Sequence, residues 1–285
     1  MGRELLLKQQ VKAYWEHEPC DIRYGRSSDP LHCFNEVQRK RYELEPIILD
    51  FANFSRGEGR RVLEIGIGIG VDFSNWLTHK ASATGVDITS AAVELTRKHL
   101  DLQRLPRSAY RLSQTDAENL PFQESSFDIV YSWGVLHHTP RTELAFKEVF
   151  RVLSPGGTLK AMVYHVPSWT GWLLWLRHGL LKGDLHVSIK EIISRYLESP
   201  GTKAYTSGEI CQLLAEIGFG DISTKTALGP SDLLRIDFSD KYHSFVYQVA
   251  KIIYPRWLVK MTGNKYGLLL LVEAQKPATV SRMLK

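Results

Sequence analysis

The chain has 285 residues and a formal net charge of +5. With 44% hydrophobic and 24% charged residues, its composition is typical of a soluble globular protein with a sizeable core, which excludes a disordered or fibrous chain. Its mild basicity favours anionic partners only weakly, and no Lys/Arg run is long enough for a nucleic-acid-binding arm, so we expect no nucleic-acid partner.

The region before residue 60 is predicted to be helical. Apolar residues recur at helical spacing over residues 3–17 and again over 34–51, where Pro46 either kinks a helix or begins a new one. The intervening residues 18–33 contain Pro, Gly and Ser and predict a loop. We interpret residues 1–59 as an N-terminal helical cap.

From residue 61, short apolar runs alternate with helical patterns. The runs typical of buried strands lie at residues 61–65, 81–88, 109–115, 127–132 and 157–164. Helical patterns follow the first run up to Leu77, the second at 90–100 and the fourth at 141–153. Strands that alternate with helices predict a parallel, doubly wound α/β sheet, and we assign residues 60–165 to its core.

Two insertions follow this core. The first, residues 166–205, is rich in Trp and Leu, and the second covers 229–264. Between them, residues 206–228 predict a core helix and strand, and the helix begins with a capping box at Thr206. Residues 265–285 supply a final strand with four consecutive leucines, and a tail.

The first predicted strand runs into the glycine turn Glu64-Ile65-Gly66-Ile67-Gly68-Ile69-Gly70. Glycine lets the backbone turn tightly and lets a ligand lie against it, beyond the carboxyl end of the strand. Asp87 ends the second strand, and its carboxylate could accept hydrogen bonds from ribose hydroxyls or cap the helix near Ser90. These features predict an adenine-containing cofactor and leave open a dinucleotide or S-adenosylmethionine.

Three further motifs separate these alternatives. They are DAENLPF at residues 116–122, FDIVYS at 127–132 with VLHH at 135–138, and RVLSPGG at 151–157. Together with the glycine turn they resemble the class I S-adenosylmethionine-dependent methyltransferases, in particular the small-molecule branch that includes the ubiquinone/menaquinone-pathway methyltransferases. The resemblance implies a Rossmann-like, doubly wound, seven-stranded methyltransferase sheet whose last strand is antiparallel, with S-adenosylmethionine as cofactor and no metal.

The resemblance also implies which residues hold the cofactor. The glycines would lie against its methionine end, and Asp87 would bind the ribose. The full set of implied cofactor-binding residues comprises Glu64, Gly66, Gly68, Gly70, Asp87, Ile88, Asp116, Ala117, Ser132 and Trp133. From the cap, Tyr14 is expected to cover the cofactor, with the alternative that it belongs to the buried stripe of the first helix.

The implied reaction is an in-line SN2 transfer of a methyl group to an oxygen or nitrogen atom of a small metabolite, to which the enzyme contributes mainly positioning. A general base helps when the acceptor is a hydroxyl or a protonated amine. His137 is the first candidate and His165 the second, each with the alternative of a buried histidine bonded to the backbone. The acceptor pocket is expected to contain Tyr24, His32, Arg41, Tyr42 and Trp169.

Other functions stay open at this point. The fold could bind the cofactor without methylating anything, or hold a dinucleotide in an oxidoreductase. The acceptor could also be arsenite, if Cys20, Cys33 and Cys211 converge, or a lipid-like molecule. The Trp-rich insertion could line the pocket, form a homodimer contact or, less favoured, touch a membrane. Three scattered cysteines and the lack of a recognisable signal peptide lead us to expect a cytoplasmic protein.

Overall fold

A computed structural model describes residues 2–17, 24–235 and 254–278. Its strands are β1 (Arg61–Ile65), β2 (Ser82–Asp87), β3 (Tyr110–Gln114), β4 (Phe127–Trp133), β5 (Leu153–His165), β6 (Ala204–Tyr205), β7 (Gly220–Ala227) and β8 (Leu269–Gln275). They form one sheet in the order β3-β2-β1-β4-β5-β8-β7, and β6 pairs with the end of β5. β8 runs antiparallel to β5 and β7, whereas β1 to β5 are mutually parallel. The predicted sheet with an antiparallel last strand is confirmed, and β6 is a two-residue addition to it.

The helices cover both faces of this sheet. They are α1 (Gly2–His17), α2 (Pro30–Leu44), α3 (Ile47–Ala52), α4 (Val71–Thr78), α5 (Ser90–Leu102), α6 (Thr142–Val152), α7 (Trp169–His178), α8 (Ile189–Tyr196), α9 (Ser207–Ile217) and α10 (Arg256–Met261). Val62 of β1 packs in a cluster with residues of α3, α4 and α5, and the next residue, Leu63, packs in a second cluster with α6 and α9. Successive strand residues point to opposite faces, so a strand buried on both sides is continuously apolar.

Local signals set several helix ends. α2 begins inside the predicted loop because the Asp29 side chain accepts a backbone N–H of the first turn at 2.8 Å and Pro30 occupies that turn. Pro46 begins a new helix, α3, and so settles the alternative left by the sequence. The predicted capping box is present: Thr206 Oγ1 accepts from Glu209 N at 3.1 Å, and the Glu209 carboxylate accepts from Thr206 N at 2.8 Å.

The topology opens a crevice at one edge of the sheet. β1 lies between β2 and β4, so the strand order reverses there, and ligands of doubly wound sheets bind at this switch point beyond the carboxyl ends of the strands. α1 lies against α5. α7 and α8 belong to the first predicted insertion and α10 to the second, of which residues 236–253 lie outside the described ranges. None of the helices in the described part of the chain is long and apolar enough to span a bilayer.

Candidate active site

The glycine turn between β1 and α4 could not be built from larger residues. Gly66, Gly68 and Gly70 have φ values of 83°, 53° and 81°, in the left-handed region that favours glycine. A Cβ on Gly66 would lie 2.1 Å from Val135 Cγ2, and one on Gly70 would lie 2.8 Å from Thr96 Cγ2. The turn therefore packs closely against the segment after β4 and against α5, and it keeps its backbone open to the crevice.

Asp87, the last residue of β2, organises this turn. One carboxylate oxygen accepts from Gly68 N at 3.2 Å, and the other accepts from Thr89 N at 3.0 Å and from the Thr89 hydroxyl at 2.8 Å. Thr89 in turn caps α5 through Ala92 N. Burial raises the pKa of Asp87, and these donors oppose that effect by stabilising the carboxylate. Because each carboxylate oxygen carries two lone pairs, Asp87 keeps acceptor capacity for a ligand hydroxyl.

A cleft of about 1130 Å³, its open mouth included, lies in front of the turn. The predicted cofactor-binding residues that line it are Glu64, Gly66, Gly68, Asp87, Ile88, Asp116, Ala117 and Trp133. From the predicted acceptor pocket, Arg41 lines it as well. The predicted residues that lie outside this lining, within the described ranges, are Tyr14, Tyr24, His32, Tyr42, Gly70, Ser132, His137, His165 and Trp169. Residues from the cap, the turn and three strand ends thus meet in one cleft.

Two of the residues outside the lining support it from behind. Ser132 Oγ donates to Ile65 O at 3.1 Å and so ties β4 to β1. Tyr42 OH donates to Asp72 Oδ1 at 3.0 Å, and Asp72 itself lines the cleft.

The other acceptor-pocket candidates are placed elsewhere. Tyr24 packs with Phe34 and Val37, His32 is exposed at the start of α2, and the Trp169 indole donates to Thr262 Oγ1 at 3.1 Å.

An acidic pair forms the wall at the end of β1 and the start of α4. Asp72 accepts from Arg41 Nε at 3.0 Å and from the Arg41 guanidinium NH2 at 2.7 Å, and Tyr131 OH donates to it at 2.9 Å. Glu64 Oε2 is buried and has no hydrogen-bond partner in the described part of the chain. Burial, reinforced by the nearby Asp72 carboxylate, raises the pKa of Glu64 well above its usual value. A buried carboxyl oxygen without a hydrogen-bond partner, on a cleft wall, fits a cationic ligand group such as an ammonium.

The cap helix α1 closes one side of the cleft. Lys8, Val11 and Trp15, which follow helical spacing, line it. Lys8 Nζ lies 2.6 Å from both Asp116 Oδ2 and Glu118 Oε2. Tyr14 is the residue predicted to cover the cofactor, whereas the aromatic side chain of α1 that lines the cleft is Trp15. Tyr14 packs edge-on against Trp15, at 4.9 Å between ring centroids.

The histidines after β4 and β5 differ in access to the cleft. The His137 ring is fully buried between His138 and Tyr164, at centroid distances of 4.2 and 4.3 Å, and neither ring nitrogen has a hydrogen-bond partner in the described ranges. Burial holds its pKa well below the usual value, so the ring is neutral. His165 Nδ1 lies 3.0 Å from Gly267 O, and burial lowers its pKa too. The predicted base roles of His137 and His165 stay predictions.

His138, in contrast, lines the cleft and contacts the first insertion. Its Nδ1 lies 2.9 Å from Ser199 Oγ and 3.0 Å from Thr202 Oγ1, and its Nε2 lies 3.3 Å from a Glu198 carboxylate oxygen. Tyr164 OH donates to the same Glu198 oxygen at 2.8 Å. This cluster could not be predicted from the sequence, because Glu198, Ser199 and Thr202 belong to an insertion without a recognisable motif. Lys8 was not predicted either, since its partners Asp116 and Glu118 lie more than a hundred residues away.

Comparisons with known proteins find similar methyltransferases. Residues 63–161 match the family model described as a methyltransferase domain. Curated relatives include phthiotriol/phenolphthiotriol dimycocerosates methyltransferase of Mycobacterium tuberculosis, 34% identical over 147 residues, which are 51% of this chain and 49% of the relative. Fatty-acid O-methyltransferase of Mycolicibacterium smegmatis is 30% identical over 177 residues, 59% of this chain and 62% of the relative. The chain thus spans about half the length of the first curated relatives that it matches.

Solved structures share the fold at low sequence identity. Phosphoethanolamine N-methyltransferase 2 of Haemonchus contortus, in complex with S-adenosyl-L-methionine, has a TM-score of 0.58 at 19% identity and covers 95% of this chain and 57% of its own. The [4+2]-cyclase SpnF has a TM-score of 0.55 at 16% identity, and the match covers 98% of this chain and 95% of the cyclase chain. The matched segment 63–161 holds the glycine turn, Asp87 and the motifs of the cleft wall. Residues 63–161, which build most of the cleft lining, therefore match a methyltransferase domain.

Proposed function

We propose that the chain binds S-adenosylmethionine in this cleft and transfers its methyl group to an oxygen or nitrogen atom of an apolar, lipid-like acceptor. The observation that carries the proposal is the buried Glu64 Oε2, which has no hydrogen-bond partner among the described residues, beside the paired Asp72 and Arg41. The amino-acid end of the cofactor is zwitterionic, so its ammonium matches Glu64. Asp87, at the end of β2, would hold the ribose hydroxyls.

When bound, S-adenosylmethionine supplies a methyl group on a cationic sulfonium, which is a strong leaving group. The protein's own residues then act by position. The glycine turn and Asp87 fix one end of the ligand, and Asp116 and Ala117 line the cleft beyond them. α1 covers one side of the cleft through Val11 and Trp15.

The acceptor class follows from the side of the cleft between α1 and the end of β4. Apolar side chains line it there: Val11, Trp15, Trp133, Val135 and Pro140. Pockets of this kind bind apolar ligands and orient them by a few polar groups. The names of two relatives, a dimycocerosates methyltransferase and a fatty-acid O-methyltransferase, support a lipid-like acceptor. A small polar metabolite would not make apolar contacts with these side chains.

A hydroxyl acceptor must lose a proton during transfer, whereas a carboxylic acid is already ionised at neutral pH and needs no base. His138 is the candidate base whose ring lines the cleft, whereas His137 does not line it. The His138 Nδ1 contacts the Ser199 and Thr202 hydroxyls and its Nε2 is buried beside Glu198, so the proton would have to reach the ring through one of these contacts. The Glu198 carboxylate beside His138 Nε2 would stabilise an imidazolium once it forms. Tyr164, which donates to that carboxylate, would keep it oriented.

The experiment has a binding arm and a turnover arm. Calorimetry with S-adenosylhomocysteine is expected to show binding to the wild-type chain and a loss of at least tenfold for Asp87→Ala. Transfer of a labelled methyl group is then measured to long-chain fatty acids, to phenolic lipids and to small polar amines. Absence of S-adenosylhomocysteine binding would refute the cofactor assignment, and transfer to the polar amines alone would refute the lipid-like acceptor.

A second candidate is a cofactor-binding protein that does not methylate. The likeness to a [4+2]-cyclase shows that this fold also occurs in a protein named for another reaction. Single-turnover assays with labelled cofactor and lipid extract distinguish the two. Cofactor that binds and keeps its label with every lipid fraction supports the second candidate.

A further inference from the structure

Exposed apolar side chains concentrate in two short segments, residues 176–185 and 256–265, which we call the leucine–lysine face. The first segment exposes Leu176, Leu180, Leu181 and Leu185, with 74% of Leu181 accessible. The second exposes Trp257 to 67%, Leu258 to 43% and Met261 to 74%. Single exposed leucines are ordinary. Together, however, the two ten-residue segments expose seven large apolar side chains, and a concentration of this kind is typical of an interaction site.

The start of α7, which leads into the first segment, packs against the end of the second segment and the residue after it. Trp169 Nε1 donates to Thr262 Oγ1 at 3.1 Å, Trp169 N donates to Tyr266 O at 2.9 Å, and the Trp172 and Tyr266 rings lie 5.0 Å apart. Trp175 Nε1 donates to Val187 O at 2.9 Å. The tryptophans that drew attention in the sequence are therefore half-buried and structural, whereas the leucines after them face outward.

Positive charge is interleaved with these apolar side chains. Arg177 and Lys182 are exposed in the first segment and Lys260 and Lys265 in the second, and Asp184 is the one acidic residue in either segment. Lysine is depleted at the centre of protein–protein interfaces, which disfavours a second copy of the chain as the partner. Apolar side chains among lysines are typical of surfaces that insert shallowly into a bilayer and attract its anionic headgroups.

We propose that the leucine–lysine face docks on the surface of an anionic lipid bilayer. Leu181, Trp257 and Met261 enter the boundary between headgroups and acyl chains, and the lysines meet the lipid phosphates. Contacts run from the first segment to α1: His178 stacks on Tyr196 of α8 at 4.0 Å, and Leu7 of α1 lies beside Gly201, which follows α8. If the proposed lipid-like acceptor is correct, it reaches the cleft from the membrane beside it.

Co-sedimentation of the full chain with vesicles tests the proposal. Vesicles of phosphatidylcholine with phosphatidylglycerol should bind the wild type, more strongly at low than at high salt, and pure phosphatidylcholine vesicles should bind it much less. The double variant Leu181→Glu with Trp257→Glu should lose at least tenfold in affinity, whereas Leu49→Glu, exposed to 45% on α3, should behave as wild type. Lys260→Gln alone should weaken binding to the anionic vesicles about fivefold.

Three outcomes would overturn the proposal. They are no binding to anionic vesicles, equal losses in the double variant and in Leu49→Glu, and a wild-type dimer that the double variant converts to monomer without any vesicle binding. Circular dichroism checks that the variants are folded. The assay needs neither cofactor nor turnover, so a protein that binds vesicles but not S-adenosylhomocysteine fails only the proposed function, and the reverse result fails only this inference.

Discussion

The contact between Lys8 and the 116–122 motif predicts that α1 controls release of the cofactor. Lys8 Nζ lies 2.6 Å from Asp116 Oδ2 and 2.6 Å from Glu118 Oε2, with 21% of the lysine side chain and 1% of the Glu118 side chain exposed. Lys8→Gln removes the charge and keeps most of the side chain. Because Lys8 itself lines the cleft, loosening α1 opens the path by which a bound ligand leaves.

The size of the effect follows from how buried the contacts are. Exposed ion pairs stabilise by about 0.2–1 kcal/mol, and breaking a fully buried pair costs about 3–5 kcal/mol. The Lys8 contacts lie between these limits, and Glu118 keeps a second partner, since it accepts from Arg141 N at 2.7 Å. We therefore expect a loss of about 1.4 kcal/mol from the docking of α1, which corresponds to a roughly tenfold faster cofactor dissociation.

The pH dependence gives this prediction a second test. Burial opposes both charges, yet hydrogen bonds to Asp116 and Glu118 raise the pKa of Lys8, and the Lys8 contact lowers the pKa of Glu118. A lowered carboxyl pKa stabilises the fold above the unfolded value of about 4.3, and a raised lysine pKa stabilises it below about 10.4. The difference in the free energy of unfolding between wild type and Lys8→Gln should have its full value between these two pH limits. It should shrink as the pH falls through the pKa of Glu118 in the folded protein.

Stopped-flow release of a fluorescent cofactor analogue measures the rate directly. Lys12→Gln, one turn along the same helix, is the matched control, because Lys12 does not belong to the cleft lining among the described residues. Equal dissociation rates for wild type and Lys8→Gln, or an equal increase in Lys12→Gln, would show that α1 is not held by this contact.

Three further substitutions test the site. Gly66→Ala should weaken S-adenosylhomocysteine binding at least tenfold in calorimetry, because its Cβ would lie 2.1 Å from Val135 Cγ2, whereas Gly59→Ala, also at positive φ but with open space around it, should bind normally. Asp72→Asn should lower the free energy of unfolding in urea by about 3 kcal/mol, since it breaks a buried pair with Arg41; exposed Asp50→Asn should leave it unchanged. His138→Gln should slow methyl transfer to a hydroxyl acceptor at least tenfold with binding intact, and a larger loss in His137→Gln would favour His137 as the base.

Local patterns predicted the sheet well because its signals are local. The β1 bounds, the glycine turn and the capping box at Thr206 each depend on residues within one or two turns of each other. Which of His137 and His138 faces the cleft does not depend on a local signal. Both lie in a 3₁₀ turn, Leu136–His138, where successive side chains point about 120° apart, so neighbours in sequence face the core and the cleft. Packing with distant residues decides the orientation of each ring: His137 packs against Tyr164, and His138 contacts Ser199 of the first insertion.

The cap shows the same limit at longer range. The sequence predicts that α1 buries an apolar stripe made of Leu7, Val11 and Tyr14. In the structure, the α1 residues that line the cleft are Lys8, Val11 and Trp15. A lysine on an inward face needs carboxylates to meet it, and those lie 108 and 110 residues further along the chain. No local rule connects positions that far apart, although the i, i+3, i+7 spacing of these three residues is visible once a partner is suspected.

Charge also fixes the direction in which α1 lies across the cleft. Near its other end, Glu16 accepts from the Ser90 hydroxyl at 2.7 Å and from Ala91 N at 2.9 Å, at the amino end of α5, where the helix dipole favours a negative group. Lys8 meets carboxylates at the opposite side. A helix reversed in direction would set Glu16 against Asp116 and Glu118, so like charges exclude that arrangement. The two contacts therefore place Val11 and Trp15, which lie between them, over the cleft.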